Sequence, residues 1–140
     1  MARSSAFKIL VAEDSAPDVG LVRMALAEQN VDCDLEVIGD GAKVLSYFDK
    51  IDRDPAHPPL DLVLLDMHLP KHDGEDILRK LRSTERYSQT PVIVMTASDS
   101  PVDYANAERH AAMHYFRKPL NFAEFMELGV IVKNILRPQS

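Results

Sequence analysis

The stretch Leu60-Asp61-Leu62-Val63-Leu64-Leu65-Asp66-Met67-His68-Leu69-Pro70 decides the fold. Leu62 to Leu65 are apolar without interruption, which suits a strand buried on both faces of a parallel sheet. The run then delivers Asp66 where Pro70 and the Asp73-Gly74 pair force the chain to turn. Open α/β sheets place ligands at the carboxyl ends of their strands. An isolated aspartate there serves equally well as a turn or capping residue, so the rest of the chain must choose between the two readings.

Outward from that strand, the pattern repeats on both sides. Phe7 to Ala12 is an apolar strand closed by Glu13-Asp14-Ser15, and Ser15 or Asp14 can cap a helix beginning near Pro17 and ending by Asn30. Cys33 to Ile38 alternates apolar and acidic residues and reads as a less buried strand. Gly39-Asp40-Gly41 turns into a helix over Ala42 to about Lys50, with Val44, Leu45 and Phe48 inward. Three prolines between Ile51 and Pro59 make that segment an irregular surface connection. Beyond Asp66 the spacing predicts a helix from Gly74 to Thr84, a strand over Pro91 to Met95, a helix over Val102 to Ala111, a short strand His114 to Arg117, and a last helix from Phe122 to Leu136. Five β-α units in succession predict a doubly wound parallel sheet. Alternation alone fits a flavodoxin-like or a half-Rossmann arrangement. Five strands complete the former, with strand order 2-1-3-4-5.

Composition narrows the function. The 140 residues suit a single domain with a core over about 7–136, and 46% hydrophobic residues can fill it. A net charge of −6 argues for solubility and against non-specific nucleic-acid binding. No stretch approaches the ~20 apolar residues of a membrane span. The apolar run after Met1-Ala2-Arg3-Ser4-Ser5 is too short for a signal peptide, and one cysteine, Cys33, excludes an internal disulfide and fits the cytoplasm. His68 and His72 stand four apart, but Pro70 breaks the helix that would align them on zinc.

Four strand ends carry polar residues that packing does not require: Glu13-Asp14, Asp66, Thr96 and Lys118. In a doubly wound sheet they fall along one edge. Three clustered carboxylates persist with a cation or with raised pKa values, and carboxylate and carbonyl oxygens suit Mg²⁺. A lysine and a threonine hydroxyl within reach can hold phosphoryl oxygens. The Lys118-Pro119 bond, if cis, would fix the direction of the lysine.

Over Phe7 to about Leu136 the chain resembles the receiver domain of two-component response regulators. The resemblance is carried by Ile9-Leu10-Val11-Ala12-Glu13-Asp14-Ser15, Leu62-Val63-Leu64-Leu65-Asp66-Met67-His68-Leu69-Pro70, Asp73-Gly74, Val94-Met95-Thr96-Ala97 and Tyr115-Phe116-Arg117-Lys118-Pro119. It implies that Asp66 is the phosphoacceptor and that Asp14, Asp66 and the His68 backbone carbonyl bind Mg²⁺, with Glu13 helping through water. It further implies that Thr96 and Lys118 contact the phosphoryl group and that Tyr115 is the aromatic switch residue. The donor would be a histidine kinase, and the protein a phosphorylated signalling switch rather than an enzyme. The proline-rich connection and the wording Glu-Asp-Ser-x-x-Asp-Val resemble small regulators paired with bacterial phytochromes, so a phytochrome-type kinase is one candidate partner. No output domain is expected after Lys118, so the readout is expected to be a separate protein, a dimer or phosphate relay.

Two departures from the pattern stand out. Alanine occupies position 111, where relatives often have glycine, so the end of the fourth helix is expected to lack a left-handed cap. His68 stands two after the acceptor, where relatives vary. It is expected to hinder the water that hydrolyses the acyl phosphate, because no carboxylate is evident to fix the ring as a base.

Other readings compete. A haloacid dehalogenase-like phosphatase wants a second aspartate where His68 stands, and a cap domain. A flavodoxin-like cofactor carrier wants a phosphate loop where Glu13-Asp14 would repel phosphate. A degenerate scaffold would not keep the acidic pair, Thr96 and Lys118. Finally, Phe122, Phe125, Met126, Leu128, Val130, Ile131, Val132, Ile135 and Leu136 crowd the last helix, more apolar surface than one buried stripe needs. A homodimer through that helix is expected.

Overall fold

The computed structural model describes residues 6–137; Met1–Ser5, read above for a targeting signal, lie outside them. Five parallel strands form one sheet in the order β2-β1-β3-β4-β5. The strands are β1 (Phe7–Ala12), β2 (Cys33–Ile38), β3 (Leu62–Leu65), β4 (Val92–Thr96) and β5 (His114–Arg117). The helices are α1 (Ala16–Glu28), α2 (Gly41–Asp52), α3 (Gly74–Ser83), α4 (Pro101–Arg109), α5 (Phe122–Phe125) and α6 (Glu127–Leu136). This is the flavodoxin-like arrangement expected from the alternation. None of the described helices is long and apolar enough to cross a membrane.

β3 is buried along its whole length, as its composition requires. Alternate residues divide between two cores. Val63 and Leu65 join Leu10, Phe48, Ile77 and Leu81 beneath α2 and α3. Leu62 and Leu64 join Ile9, Val22, Leu26 and Leu128 beneath α1 and α6. β2, an edge strand, is only half buried. The register brings Ala12 beside Leu65, so the residues that follow, Glu13 and Asp66, emerge together at the same edge.

Several element ends differ from the sequence expectation. α2 continues through Ile51 and Asp52, because Ile51 falls on the inward face and is fully buried. α4 is bounded by Ser100, whose side chain accepts from the Val102 amide, and ends at Arg109. Ala111 does adopt the left-handed conformation, with φ 59°, so the expected loss of that cap is corrected. The Ala112 amide donates back to the Ala107 carbonyl at 2.9 Å. Arg82 then donates to the His110 and Ala111 carbonyls and to those of Ser88 and Thr90. A guanidinium therefore supplies at this terminus what a glycine would otherwise ease.

The C-terminal helix is not continuous. It divides at Met126, where the Gly129 amide bonds the Met126 carbonyl three residues back. Phe125, Met126, Leu128 and Val132 face the core; Phe122 and Val130 stay exposed; Ile131, Ile135 and Leu136 are half buried. α6 lies so close to α1 that a Cβ on Gly129 would stand 2.1 Å from the Ala25 carbonyl oxygen.

Candidate functional site

Glu13, Asp14 and Asp66 meet where β1 and β3 end, each with a carboxylate oxygen within 4.8 Å of the others. Backbone bonds set the approach: the Glu13 amide donates to Ile38 and the Asp66 amide to Ala12. Asp14 is exposed, whereas Glu13 and Asp66 are buried. Burial pushes the Glu13 carboxyl up to about 7. The Lys118 hydrogen bond works against that rise, and the Asp66 charge adds to it. Three oxygen donors of this kind fit a hard divalent cation such as Mg²⁺ or Mn²⁺.

Lys118 reaches the same point from just past β5. Its Nζ lies 2.6 Å from Glu13 Oε1, 2.7 Å from Asp18 Oδ2 and 3.3 Å from Asp66 Oδ2. Burial disfavours the ammonium, but hydrogen bonds to Asp18 and Glu13 and the charge of Asp66 reverse this and hold its pKa above the usual lysine range. The Lys118 amide bonds the Thr96 carbonyl at 2.8 Å, and the peptide bond to Pro119 is trans.

The loop after β3 is drawn tightly around Asp66. The His68 amide donates to Asp66 Oδ1 at 3.0 Å, the Gly74 amide to Met67, and the Gly41 amide to Pro70. Only glycine fits at position 74, because a Cβ there would lie 2.6 Å from the Met67 Cα. Asp73 caps α3 by accepting from the Asp76 amide. The His68 ring reaches across to α4, its Nε2 2.6 Å from Asp103 Oδ2. The carboxylate that the sequence did not reveal beside His68 is therefore present.

Thr96 is buried at the end of β4, and its hydroxyl accepts from the Ser98 amide at 3.3 Å. Tyr115, half buried on β5, donates to the Ser98 carbonyl at 3.0 Å and packs against Tyr104 with ring centroids 5.3 Å apart. One residue, Ser98, thus joins the two expected switch residues. Every expected site residue lies along this edge, and the fold adds Asp18, Ser98 and Asp103. Asp18 stands in the Glu-Asp-Ser-x-x-Asp-Val wording, the only sequence signal for any of the three.

A sheet of this order carrying an acidic trio, a threonine and a lysine at successive strand ends is a receiver-type site. The response regulator receiver domain model matches residues 9–128, and the chain belongs to that family. Among its relatives, the chain is similar to response regulator Rcp1 of Synechocystis, with 30% identity over 86% of this chain and 82% of Rcp1. It is also 33% identical to the transcriptional regulatory protein TrcR of Mycobacterium tuberculosis, spanning 89% of this chain but only 44% of TrcR. Among solved structures, the phosphorylated cyanobacterial phytochrome response regulator RcpA superposes with a TM-score of 0.85 at 26% identity, covering 97% of this chain and 98% of RcpA. A Mn²⁺-bound form of Rcp1 superposes with a TM-score of 0.82 at 25% identity, covering 96% and 97% of the two chains.

Proposed function

We propose that this protein is a phosphorylation-operated switch that accepts a phosphoryl group on Asp66 from a histidine kinase. The observation that carries the reading is the position of Asp66, which stands within 4.8 Å of the Glu13 and Asp14 carboxylates and 3.3 Å from the Lys118 ammonium. Asp14, Asp66 and the His68 backbone carbonyl would hold Mg²⁺, with Glu13 assisting through water. When bound, the cation offsets the charge that builds up during transfer. Thr96 and Lys118 receive phosphoryl oxygens, and Tyr115 reports the change to the surface formed by α4, β5 and the last helical segment, α5 with α6. The protein changes state rather than turning over a substrate, and it works in the cytoplasm.

The likeness to a phytochrome response regulator supports a phytochrome-type kinase as donor. Homodimerisation through α5 and α6 rests on the exposed Phe122 and Val130 and on the half-buried residues beside them. Light scattering at micromolar concentration, with and without beryllofluoride, tests it, and monomer under both conditions defeats it.

The test of the main reading is labelling by acetyl phosphate with Mg²⁺, read on phosphate-affinity gels. Wild type is labelled and Asp66→Asn is not. Label persisting in the variant rejects Asp66 as the acceptor.

A further inference from the structure

Lys118 has three N–H donors and three carboxylates around it. The grip is uneven. Glu13, with its side chain wholly buried, holds the ammonium from below at 2.6 Å. Asp18, a quarter exposed, holds it from the rim at 2.7 Å. The contact to Asp66 is longer, 3.3 Å. Asp18 is placed for this by α1: its amide is bound by the Ser15 hydroxyl that caps the helix, leaving its carboxylate free to reach inward.

The ammonium donates one N–H to Asp18 and one to Asp66, while Glu13 Oε1 stands 2.6 Å away as an ion-pair partner. The donor that faces Asp66 makes the longer and more replaceable of the two hydrogen bonds. A lysine with four rotatable side-chain bonds does not keep such a direction unaided, because ordering its rotamers costs conformational entropy. Without the rim contact, nothing would draw the ammonium away from Glu13 and Asp66, and its direction would no longer be fixed from the first turn of α1.

We propose that Asp18 is a positioning residue for phosphoryl transfer, holding the Lys118 ammonium from the first turn of α1 so that the donor facing Asp66 meets the phosphoryl group entering there. The inference rests on the reading of Asp66 as acceptor. In the step itself, an Asp66 carboxylate oxygen bonds to phosphorus as the bond from phosphorus to the donor's leaving group breaks. With acetyl phosphate, acetate departs with the electron pair, and no proton needs to move. Charge shifts onto the phosphoryl oxygens during this exchange, and Lys118 meets it only if it is already aligned.

The experiment follows Asp66 labelling by acetyl phosphate at saturating Mg²⁺ together with the Lys118 Nζ resonance in ¹⁵N NMR. Asp18→Asn is expected to label ~10-fold to ~100-fold more slowly, up to the loss that a misplacement of about 1 Å produces without removal of a reacting group. The Lys118 ammonium signal is expected to move and to exchange faster with water, which a role confined to helix α1 would not cause. Asp18→Glu, which keeps the charge on a longer arm, is expected to recover part of the rate, and Asp18→Ser serves if Asp18→Asn folds poorly. Wild-type labelling in Asp18→Asn, or an unmoved Lys118 resonance, overturns the proposal. Labelling that survives Asp66→Asn instead overturns the acceptor assignment, so the two failures are told apart.

Discussion

His68 Nε2 lies 2.6 Å from Asp103 Oδ2, joining the loop that follows β3 to the first turn of α4. Asp103 is almost fully buried, and a carboxylate in that position must be paired. A ring held in this way keeps one nitrogen engaged and the other free to accept a proton from water. The expectation that His68 merely hinders hydrolysis rested on the absence of such a carboxylate, and its premise is removed. Phospho-Asp66 is expected to decay more slowly in His68→Ala, by up to the ~100-fold at the low end of what a general base contributes. Asp103→Asn should show the same direction. Faster decay in both variants restores the hindrance reading.

Glu13 provides a pH dependence whose sign is fixed. Its carboxyl is raised from 4.5 to about 7, chiefly by burial. The folded state thus binds this proton more tightly than the unfolded one does. The stabilising contribution of protonated Glu13 is fully present below the unfolded value and is lost as pH rises through about 7. A divalent cation reverses the preference, because it needs the ionised form. Mg²⁺ should therefore raise the melting temperature more at about pH 8 than at about pH 6. Equal increments at both values would show that Glu13 does not titrate in this range.

The Ser98 backbone is bound on both sides, its amide by Thr96 and its carbonyl by Tyr115. If Thr96 turns towards a phosphoryl group, the amide is released and the Tyr115 contact loosens with it. Beryllofluoride should then shift the Thr96, Ser98 and Tyr115 resonances together. Movement of Thr96 with Tyr115 unchanged would show that the coupling is absent.

Ala111 carries a left-handed backbone without glycine, with φ 59°. Ala111→Gly should stabilise the fold by about 1 kcal/mol, the strain of a side chain in that region, offset in part by unfolded-state entropy. Arg82→Ala should destabilise by ~1–3 kcal/mol, because it leaves the carbonyls at the end of α4 without donors. Denaturant titration of both variants checks the pair. A neutral Arg82→Ala would mean that water replaces the guanidinium without loss.

Gly129 sits against the Ala25 carbonyl, with no room for even a methyl group. The neighbour is backbone and cannot rotate away. Gly129→Ala should cost ~1–3 kcal/mol from overpacking, outweighing the helix propensity gained. Thermal unfolding reads the outcome, and a stabilised variant would show that α6 slides freely along α1.

Hydrophobic period and strand-end punctuation are local properties, and they carried most of this protein. An apolar run between turn residues made β3 legible, and the fivefold alternation made the sheet legible. Once the strands lie parallel, Glu13, Asp14, Asp66, Thr96 and Lys118 share an edge by topology alone. What sequence could not separate were residues that look ordinary where they stand. Asp18 and Asp103 each occupy the first turn of a helix, where acidic residues are favoured by the helix dipole and need no further reason. Their partners lie far away in the chain: Asp18 meets Lys118 across 100 positions and Asp103 meets His68 across 35. The division of the last helix at Met126 and the left-handed Ala111 were likewise decided at a distance, beside the close packing of α1 on α6 and the Arg82 side chain. Local pattern thus determined which elements form and which strand ends carry chemistry. Only the tertiary structure decided which charges meet, because a buried charge is held by whatever partner the packing brings within reach.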